Sequence, residues 1–245
     1  MKNTGGSMLG KIVRNVAIVA IIGVLVALVI FNANQKAAID TKVWDSRTTI
    51  GDAATAKHHY IMYTDLMCPY CDAFSRVVKD HYDEFKRDYL DEKKVLFEMR
   101  ITDFLYEFGA HKTEYSRQSA EAIYCATAED RFWDYYYAAL DKLWEDYHSK
   151  GIGTSKTSPA ITGIDDSYWL EIGKSIGLGE EFNNCYSEHQ QLEAVKANTA
   201  KAYKLVDGGL PYFQFGSFKT GGFDQSWGWE QVKQYLDAGL QGRSN

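Results

Sequence analysis

The sequence has no excess of positive charge, few cysteines and prolines, and no repeats. With 27 Lys and Arg against 33 Asp and Glu, the formal net charge is -6, which leaves no basic face to neutralise phosphates. We therefore expect no nucleic-acid partner. Internal repeats and low-complexity tracts are not evident, and four cysteines and three prolines are few enough to be considered one by one.

Apolar and aromatic residues, in contrast, are plentiful. Hydrophobic residues make up 45% and aromatic residues 14% of the 245 positions, which is ample for a packed core. This length suits one sizeable domain, or one domain with a large insertion. Disorder is not expected beyond the ends of the chain.

A long apolar stretch near the N-terminus predicts a membrane anchor. The stretch covers residues 12–31, and its residues 16–31 contain no charged or strongly polar side chain. Its length is close to the roughly 20 residues that cross a bilayer. Lys2, Lys11 and Arg14 lie on the N-terminal side, so by the positive-inside rule residues 1–11 form a cytoplasmic tail. We expect a single-pass protein of the cell membrane whose remaining chain is extracytoplasmic.

A cleaved signal peptide is the competing interpretation of this stretch. Its apolar core would be about 7–15 residues long and would end at small residues, whereas Phe31-Asn32-Ala33 is a poor cleavage site. Either interpretation exports the same domain.

The rest of the chain alternates between strand and helix patterns. A linker at 32–56, with an edge strand near Val43, is followed by β-type runs at 59–64, 95–101, 212–215 and 218–223. Helical patterns follow the first run and recur at 119–126, 132–147, 167–176, 180–185, 192–205 and 229–240. The order strand, helix, strand at the start predicts a βαβ unit with a parallel strand pair. The layout is α/β, with a helical block at 113–206 placed before a closing hairpin and helix.

The motif Cys68-Pro69-Tyr70-Cys71 stands where the first strand passes into a helix. A zinc site would need a second close pair of ligands, but the other two cysteines stand singly and far apart. A structural disulfide across four residues would constrain the unfolded chain little. A redox pair is the interpretation that suits the position of the motif.

The expected helix start assigns a different role to each cysteine. Cys68 would occupy the N-cap and Pro69 the first helical position, where a missing N–H costs nothing. The free N–H groups and partial positive charge of a helix N-terminus stabilise a thiolate. We therefore predict that Cys68 is the attacking sulfur and that Cys71, one turn further on, resolves the bond.

Residues 64–71 resemble the active-site stretch of thioredoxin-fold proteins, and the helical block makes the chain similar to the DsbA family in particular. Residues 120–133 and 178–185 resemble parts of that family's helical insertion. The resemblance runs from position 59 to the C-terminus. It implies an α/β, thioredoxin-like fold with an inserted all-helical domain, preceded here by the transmembrane helix. The thioredoxin-like domain would comprise 57–112 and 207–245, and the insertion 113–206.

The resemblance also implies roles for single residues. In this family a cis-proline loop lies against the CxxC motif, and Pro211 matches because it directly precedes a β-type run. Leu210 stands where the family usually has Thr or Val, and Tyr70 belongs to the dipeptide that helps to set the redox potential. Without the resemblance, Pro211 would be interpreted as an ordinary trans proline that opens an edge strand.

The distant cysteines and Asp65 each keep two interpretations. A structural disulfide between Cys125 and Cys185 is implied by the family, with two buried reduced thiols as the alternative. Asp65, three residues before Cys68, either influences the proton balance of that thiol or caps the loop locally.

These features predict an enzyme that introduces disulfides into exported proteins by dithiol–disulfide exchange through Cys68 and Cys71. Its substrates would be reduced exported polypeptides, and the family implies a membrane quinone-linked partner that reoxidises it. No organic cofactor or metal is implied. A membrane-anchored reductase or isomerase is the first alternative. The second is a metallochaperone that holds copper on the two cysteines, which would want a third ligand nearby.

Overall fold

A mixed five-stranded sheet forms the centre of the part of the chain that the structure describes. The structure is a computed structural model, and it describes residues 43–109, 112–216 and 218–242. In chain order the strands are β1 Thr49–Ile50, β2 His58–Thr64, β3 Val95–Ile101, β4 Tyr212–Phe215 and β5 Phe218–Thr220. They lie in the order β1-β3-β2-β4-β5, and only β2 and β3 pair in parallel. The parallel pair is the one that the βαβ prediction requires.

The predicted membrane anchor at 12–31 and the tail at 1–11 lie outside the described residues, so both stay predictions. Within the described ranges, no helix is both long enough and apolar enough to cross a membrane.

The two faces of the central strands are buried in different clusters. Successive side chains of a strand point to opposite faces of the sheet. Tyr60 and Met62 accordingly enter the main hydrophobic core, while Ile61 and Tyr63 enter a smaller second cluster. Because both faces of the sheet are covered here, residues 60–63 of β2 are large on both faces and do not alternate with exposed polar residues. This pattern is typical of buried parallel strands. Thr64, the last residue of β2, lies on the same face as Tyr60 and Met62.

The folded unit begins inside the segment predicted as a linker at 32–56. The Trp44 N–H donates to Glu98 Oε1 (2.9 Å), and the Arg100 guanidinium lies 4.0 Å from the centroid of the Trp44 ring. The sequence predicts an edge strand near Val43. The strand at this edge of the sheet is instead β1, which pairs with β3. This corrects the predicted boundary. The segment is ordered because it covers the buried Glu98–Arg100 ion pair and an otherwise open sheet edge.

Helices pack on both faces of the sheet. Those of the described residues are α1 Pro69–Asp80, α2 Tyr82–Phe85, α3 Phe104–Glu107, α4 Tyr115–Ala126, α5 Phe132–Asp146, α6 Asp166–Ser175, α7 Glu180–Ser187, α8 Leu192–Tyr203 and α9 Trp229–Leu240. Short 3-10 turns occupy Ser46–Thr48, Thr127–Glu129 and His148–Lys150, and Lys86–Glu92 is π-helical. The helical patterns predict α4 to α9 to within a few residues. They do not predict α2 or α3, because four residues are too few to show a helical period.

The helices inserted between β3 and β4 share one hydrophobic core with the sheet. α4 is buried along most of its length, and its Tyr124 hydroxyl donates to the Ile101 carbonyl at the end of β3 (3.1 Å). Tyr136 and Leu140 of α5 enter the same core. The insertion is therefore not built around a core of its own, and residues 43–245 form a single compact unit.

Candidate active site

The Cys68–Cys71 motif lies at the N-terminus of α1, directly after β2. Cys68 is the N-cap residue, with an extended backbone (φ -85°, ψ 116°), and Pro69 is the first helical residue. The Cys68 carbonyl accepts from the Asp72 N–H (3.0 Å), and the Cys68 N–H donates to the Asp65 carbonyl (3.0 Å). These bonds set the loop so that the first sulfur stands at the positive end of the helix.

The two cysteines are unbridged thiols in different surroundings. Cys68 retains 5% of its surface, whereas Cys71 is fully enclosed. Burial raises the pKa of the Cys71 thiol well above its usual value, and the neighbouring Cys68 adds to this; the Thr64 hydroxyl and the Asp65 backbone N–H act in the opposite direction. Cys68 is therefore the more exposed of the two sulfurs, and the attacking and resolving roles of the pair stay a prediction.

Leu210, which precedes Pro211, lies against the motif, although it is 142 residues from Cys68 in sequence. The Leu210–Pro211 peptide bond is cis. The Cys68 thiol donates to the Leu210 carbonyl oxygen, with 3.7 Å between Sγ and O. Tyr70, in contrast, projects outward and keeps 43% of its surface exposed. The structure thus brings together Cys68, Cys71 and the proline loop, with Tyr70 at the rim.

Asp65 is a buried clamp of the loop that carries the motif. Its carboxylate accepts from the Met67 N–H (3.0 Å), from the Leu105 N–H (2.9 Å) and from the Ser116 hydroxyl. Burial raises the pKa of Asp65 to about 6, against the effect of those three hydrogen bonds. Of the two interpretations of Asp65, the geometry agrees with the loop cap: its carboxylate ties the loop to α3 and α4.

Three buried hydroxyl groups, those of Thr64, Ser75 and Tyr136, lie in the part of the core that contains Cys71. No sequence pattern predicts this set. Thr64 ends β2 on the core face, and Tyr136 of α5 is fully buried next to it. The Tyr136 and Ser75 hydroxyl oxygens are 2.8 Å apart. The three residues are far apart along the chain and each is unremarkable by itself, so only the packing of α5 on α1 and β2 assembles them.

A groove of about 500 Å³ runs beside the motif along one face of α1, beginning at Pro69. The Asp72 carboxylate on its wall accepts from Arg76 Nε (3.1 Å) and lies 3.1 Å from His148 Nδ1. The Arg76 guanidinium in turn lies 4.5 Å from the centroid of the Trp144 ring. The i,i+4 spacing of Asp72 and Arg76 is visible in the sequence. His148 is 76 residues from Asp72, and no local signal connects the two.

The other two cysteines form a disulfide. Cys125 of α4 and Cys185 of α7 are joined with an S–S distance of 2.04 Å and a Cα–Cα distance of 5.7 Å. Both are buried in the main core. Elsewhere in the described part of the chain, no group of three or more His, Cys, Asp or Glu residues is arranged to hold a metal ion.

Comparison with known proteins places this geometry among related folds. The family model described as Thioredoxin matches residues 45–213, more than half of the chain. The fold is similar to oxidised BdbD from Bacillus subtilis, with a TM-score of 0.57 and 16% identity over 79% of this chain and 92% of that one. The thiol-disulfide exchange protein alpha-DsbA2 from Wolbachia pipientis gives a TM-score of 0.57 and 15% identity, covering 84% and 94% of the two chains.

A third similar structure is the catalytic domain of Proteus mirabilis ScsC, with a TM-score of 0.53 and 19% identity over 86% of this chain and 98% of that one. At such identities the likeness concerns the fold, and function has to be argued from the site. No curated protein matches the sequence.

Proposed function

The chain belongs to the thioredoxin family and is DsbA-like in its fold, and on that premise we propose that it is an extracytoplasmic enzyme that introduces disulfides into exported proteins through Cys68 and Cys71. One observation carries the proposal. A free dithiol lies at the N-terminus of α1, with the first sulfur against the carbonyl of Leu210 and the second enclosed. A sulfur that keeps a little exposure beside a fully enclosed partner suits dithiol–disulfide exchange, in which an incoming thiolate attacks one sulfur and displaces the other.

The reaction transfers two electrons from a substrate dithiol to the enzyme disulfide. A substrate thiolate attacks Sγ of Cys68, the Cys68–Cys71 bond breaks, and Cys71 leaves as a thiolate that takes up a proton. A second substrate thiolate then attacks the substrate sulfur of the mixed disulfide. That step forms the substrate disulfide and releases Cys68 as a thiolate.

The position of the first sulfur supports the oxidising direction of exchange. The partial positive charge of a helix N-terminus favours a negative charge on a nearby group, and an interaction that favours the reduced form of a dithiol makes its disulfide a stronger oxidant. The predicted membrane anchor supports reduced exported polypeptides as substrates. A quinone-linked membrane partner would accept the electrons and restore the disulfide.

Equilibration with glutathione buffers tests this proposal. A reduction potential near -120 mV is expected for an oxidant, whereas one near -270 mV would identify a reductase and contradict the proposed direction. Cys68→Ala should abolish disulfide formation in a reduced model polypeptide. The matched variant Cys71→Ala, incubated with the disulfide form of the polypeptide, should instead accumulate a mixed disulfide through Cys68, because Cys68 displaces one substrate sulfur as a thiol and no resolving cysteine follows.

Orientation needs a separate measurement. In intact cells, a membrane-impermeant thiol reagent should label reduced Cys68 if the domain is extracytoplasmic. Labelling that appears only after the cells are lysed would contradict that part of the proposal.

A further inference from the structure

The buried end of β2 contains a polar group without a hydrogen-bond partner. Thr64 is fully enclosed, and its Oγ1 makes no hydrogen bond of standard geometry with any residue that the structure describes. An unsatisfied buried hydroxyl destabilises a fold by about 1–3 kcal/mol, so its presence calls for a functional or structural reason. The backbone at this position is well held, because the Thr64 carbonyl accepts from both the N–H and the hydroxyl of Thr102 (2.8 and 3.0 Å).

The Thr64 side chain lies on the same side of β2 as the sulfur that leaves during exchange. That side is the core face of β2, the face on which Cys71 is buried. The Thr64 hydroxyl is near enough to lower the pKa of the Cys71 thiol, as does the backbone N–H of the next residue, Asp65. Both donors are fixed in place: the bonds to Thr102 hold Thr64, and the carboxylate clamp holds Asp65.

Exchange requires a negative charge at this enclosed position. When a thiolate attacks Cys68, the electron pair of the breaking bond moves to Cys71, and charge develops on a sulfur that has no contact with solvent. Burial alone would make the step slow, because an enclosed charge loses its hydration. Fixed hydrogen-bond donors aimed at a developing charge lower such a barrier without reorganisation.

We infer that the Thr64 hydroxyl and the Asp65 backbone N–H form a binding site for the thiolate that Cys71 becomes as it leaves, with Tyr136 and Ser75 as positioning residues. This inference rests on the proposed function. The Ser75 and Tyr136 hydroxyl oxygens are 2.8 Å apart, and Tyr136 is close enough to Thr64 for the two hydroxyls to interact. As charge develops on Cys71, Ser75 would donate to Tyr136, Tyr136 to Thr64 and Thr64 to the sulfur, although Thr64 makes no such bond in the resting state. Hydrogen bonds in such a chain polarise one another in a buried setting.

The test separates rate from equilibrium. In the reduced enzyme Cys71 is a protonated thiol, so Thr64 stabilises chiefly the transition state and not the end states. The variant Thr64→Val keeps the shape of the side chain and removes the hydroxyl; Thr64→Ser keeps the hydroxyl. With the full-length oxidised protein and reduced glutathione, Thr64→Val should react on the order of tenfold more slowly, the loss expected for one hydrogen bond. Thr64→Ser should stay within a factor of about three of the wild type.

A second readout excludes a merely structural role. The equilibrium constant with glutathione should change less than twofold in Thr64→Val. In a Cys68→Ala background, adding Thr64→Val should raise the pH at which Cys71 becomes alkylated. Tyr136→Phe, which retains the ring, should give a smaller loss of rate in the same direction. Equal rates for Thr64→Val and the wild type would overturn the inference, as would an equal loss in Thr64→Ser.

Failure of the proposed function looks different. A wild-type protein that does not exchange with glutathione at all would refute the proposed function. A wild type that reacts normally beside an unaffected Thr64→Val variant would refute only the role of Thr64.

Discussion

Replacing Asp65 with asparagine should remove a pH dependence of stability that this buried carboxyl imposes. Burial raises the pKa of Asp65 from 3.8 to about 6 in the folded chain, in spite of hydrogen bonds from Met67, Leu105 and Ser116. A difference of about two units between the folded and unfolded states corresponds to about 3 kcal/mol.

The sign of this pH dependence is set by which state, folded or unfolded, binds the Asp65 proton more tightly. Between about pH 4 and pH 6 the folded state holds a proton on Asp65 that the unfolded state has released. The contribution of Asp65 to the free energy of unfolding is therefore fully present below pH 4, falls as the pH rises to 6, and is lost above that. Other carboxyls titrate in the same range, so only a comparison of variants isolates this one.

Urea unfolding of the wild type and of Asp65→Asn at pH 4, 5, 6 and 7 measures this contribution. Asparagine cannot accept all three hydrogen bonds, but that loss is the same at every pH. The difference between the two proteins should therefore shift by about 3 kcal/mol in favour of Asp65→Asn between pH 4 and pH 7. Ser116→Ala removes a bond that favours the ionised form, so in that variant the pH-dependent range should extend upward. A wild-type and Asp65→Asn difference that is constant with pH would refute the reasoning.

Two further outcomes concern the frame around the site. Replacing both Cys125 and Cys185 with alanine opens a loop of 60 residues, and the free energy of unfolding should fall by about 4 kcal/mol; equal urea midpoints under non-reducing conditions would contradict this. Arg100→Met leaves the Glu98 carboxylate buried without its bidentate partner, so the free energy of unfolding should fall by about 3 kcal/mol in the same assay. Lys196→Met, which removes an exposed ion pair with Glu193, is the control and should lower it by less than about 1 kcal/mol.

Local patterns in the sequence were sufficient for the long elements. β3 occupies the predicted run at 95–101, and α9 occupies the predicted pattern at 229–240. In both cases the residues that decide the structure are neighbours along the chain, so a period of two or of 3.6 can be recognised. β1 has only two residues and no period, and it exists because the edge of β3 is available to pair with it.

The same distinction holds at the active site. The motif at 68–71 and its position at a strand-to-helix junction are local properties, and the sequence by itself determined them. The prediction of different roles for the two sulfurs rests on the same local pattern. The groove pair of Asp72 and His148 is not local, and neither is the meeting of Leu210 with Cys68. No periodicity links residues that are 76 or 142 positions apart.

Tertiary structure alone decided how the two sulfurs differ in their surroundings. Pro69 and the helix start are encoded next to Cys68, whereas Cys71 is enclosed in a core cluster that also contains Tyr136 of α5 and Met62 of β2. Burial sums contributions from every element that excludes water, and those elements come from separate parts of the chain. The sequence alone thus singled out Cys68 and Cys71 as the candidate redox pair, and the fold determined how deeply each sulfur is buried.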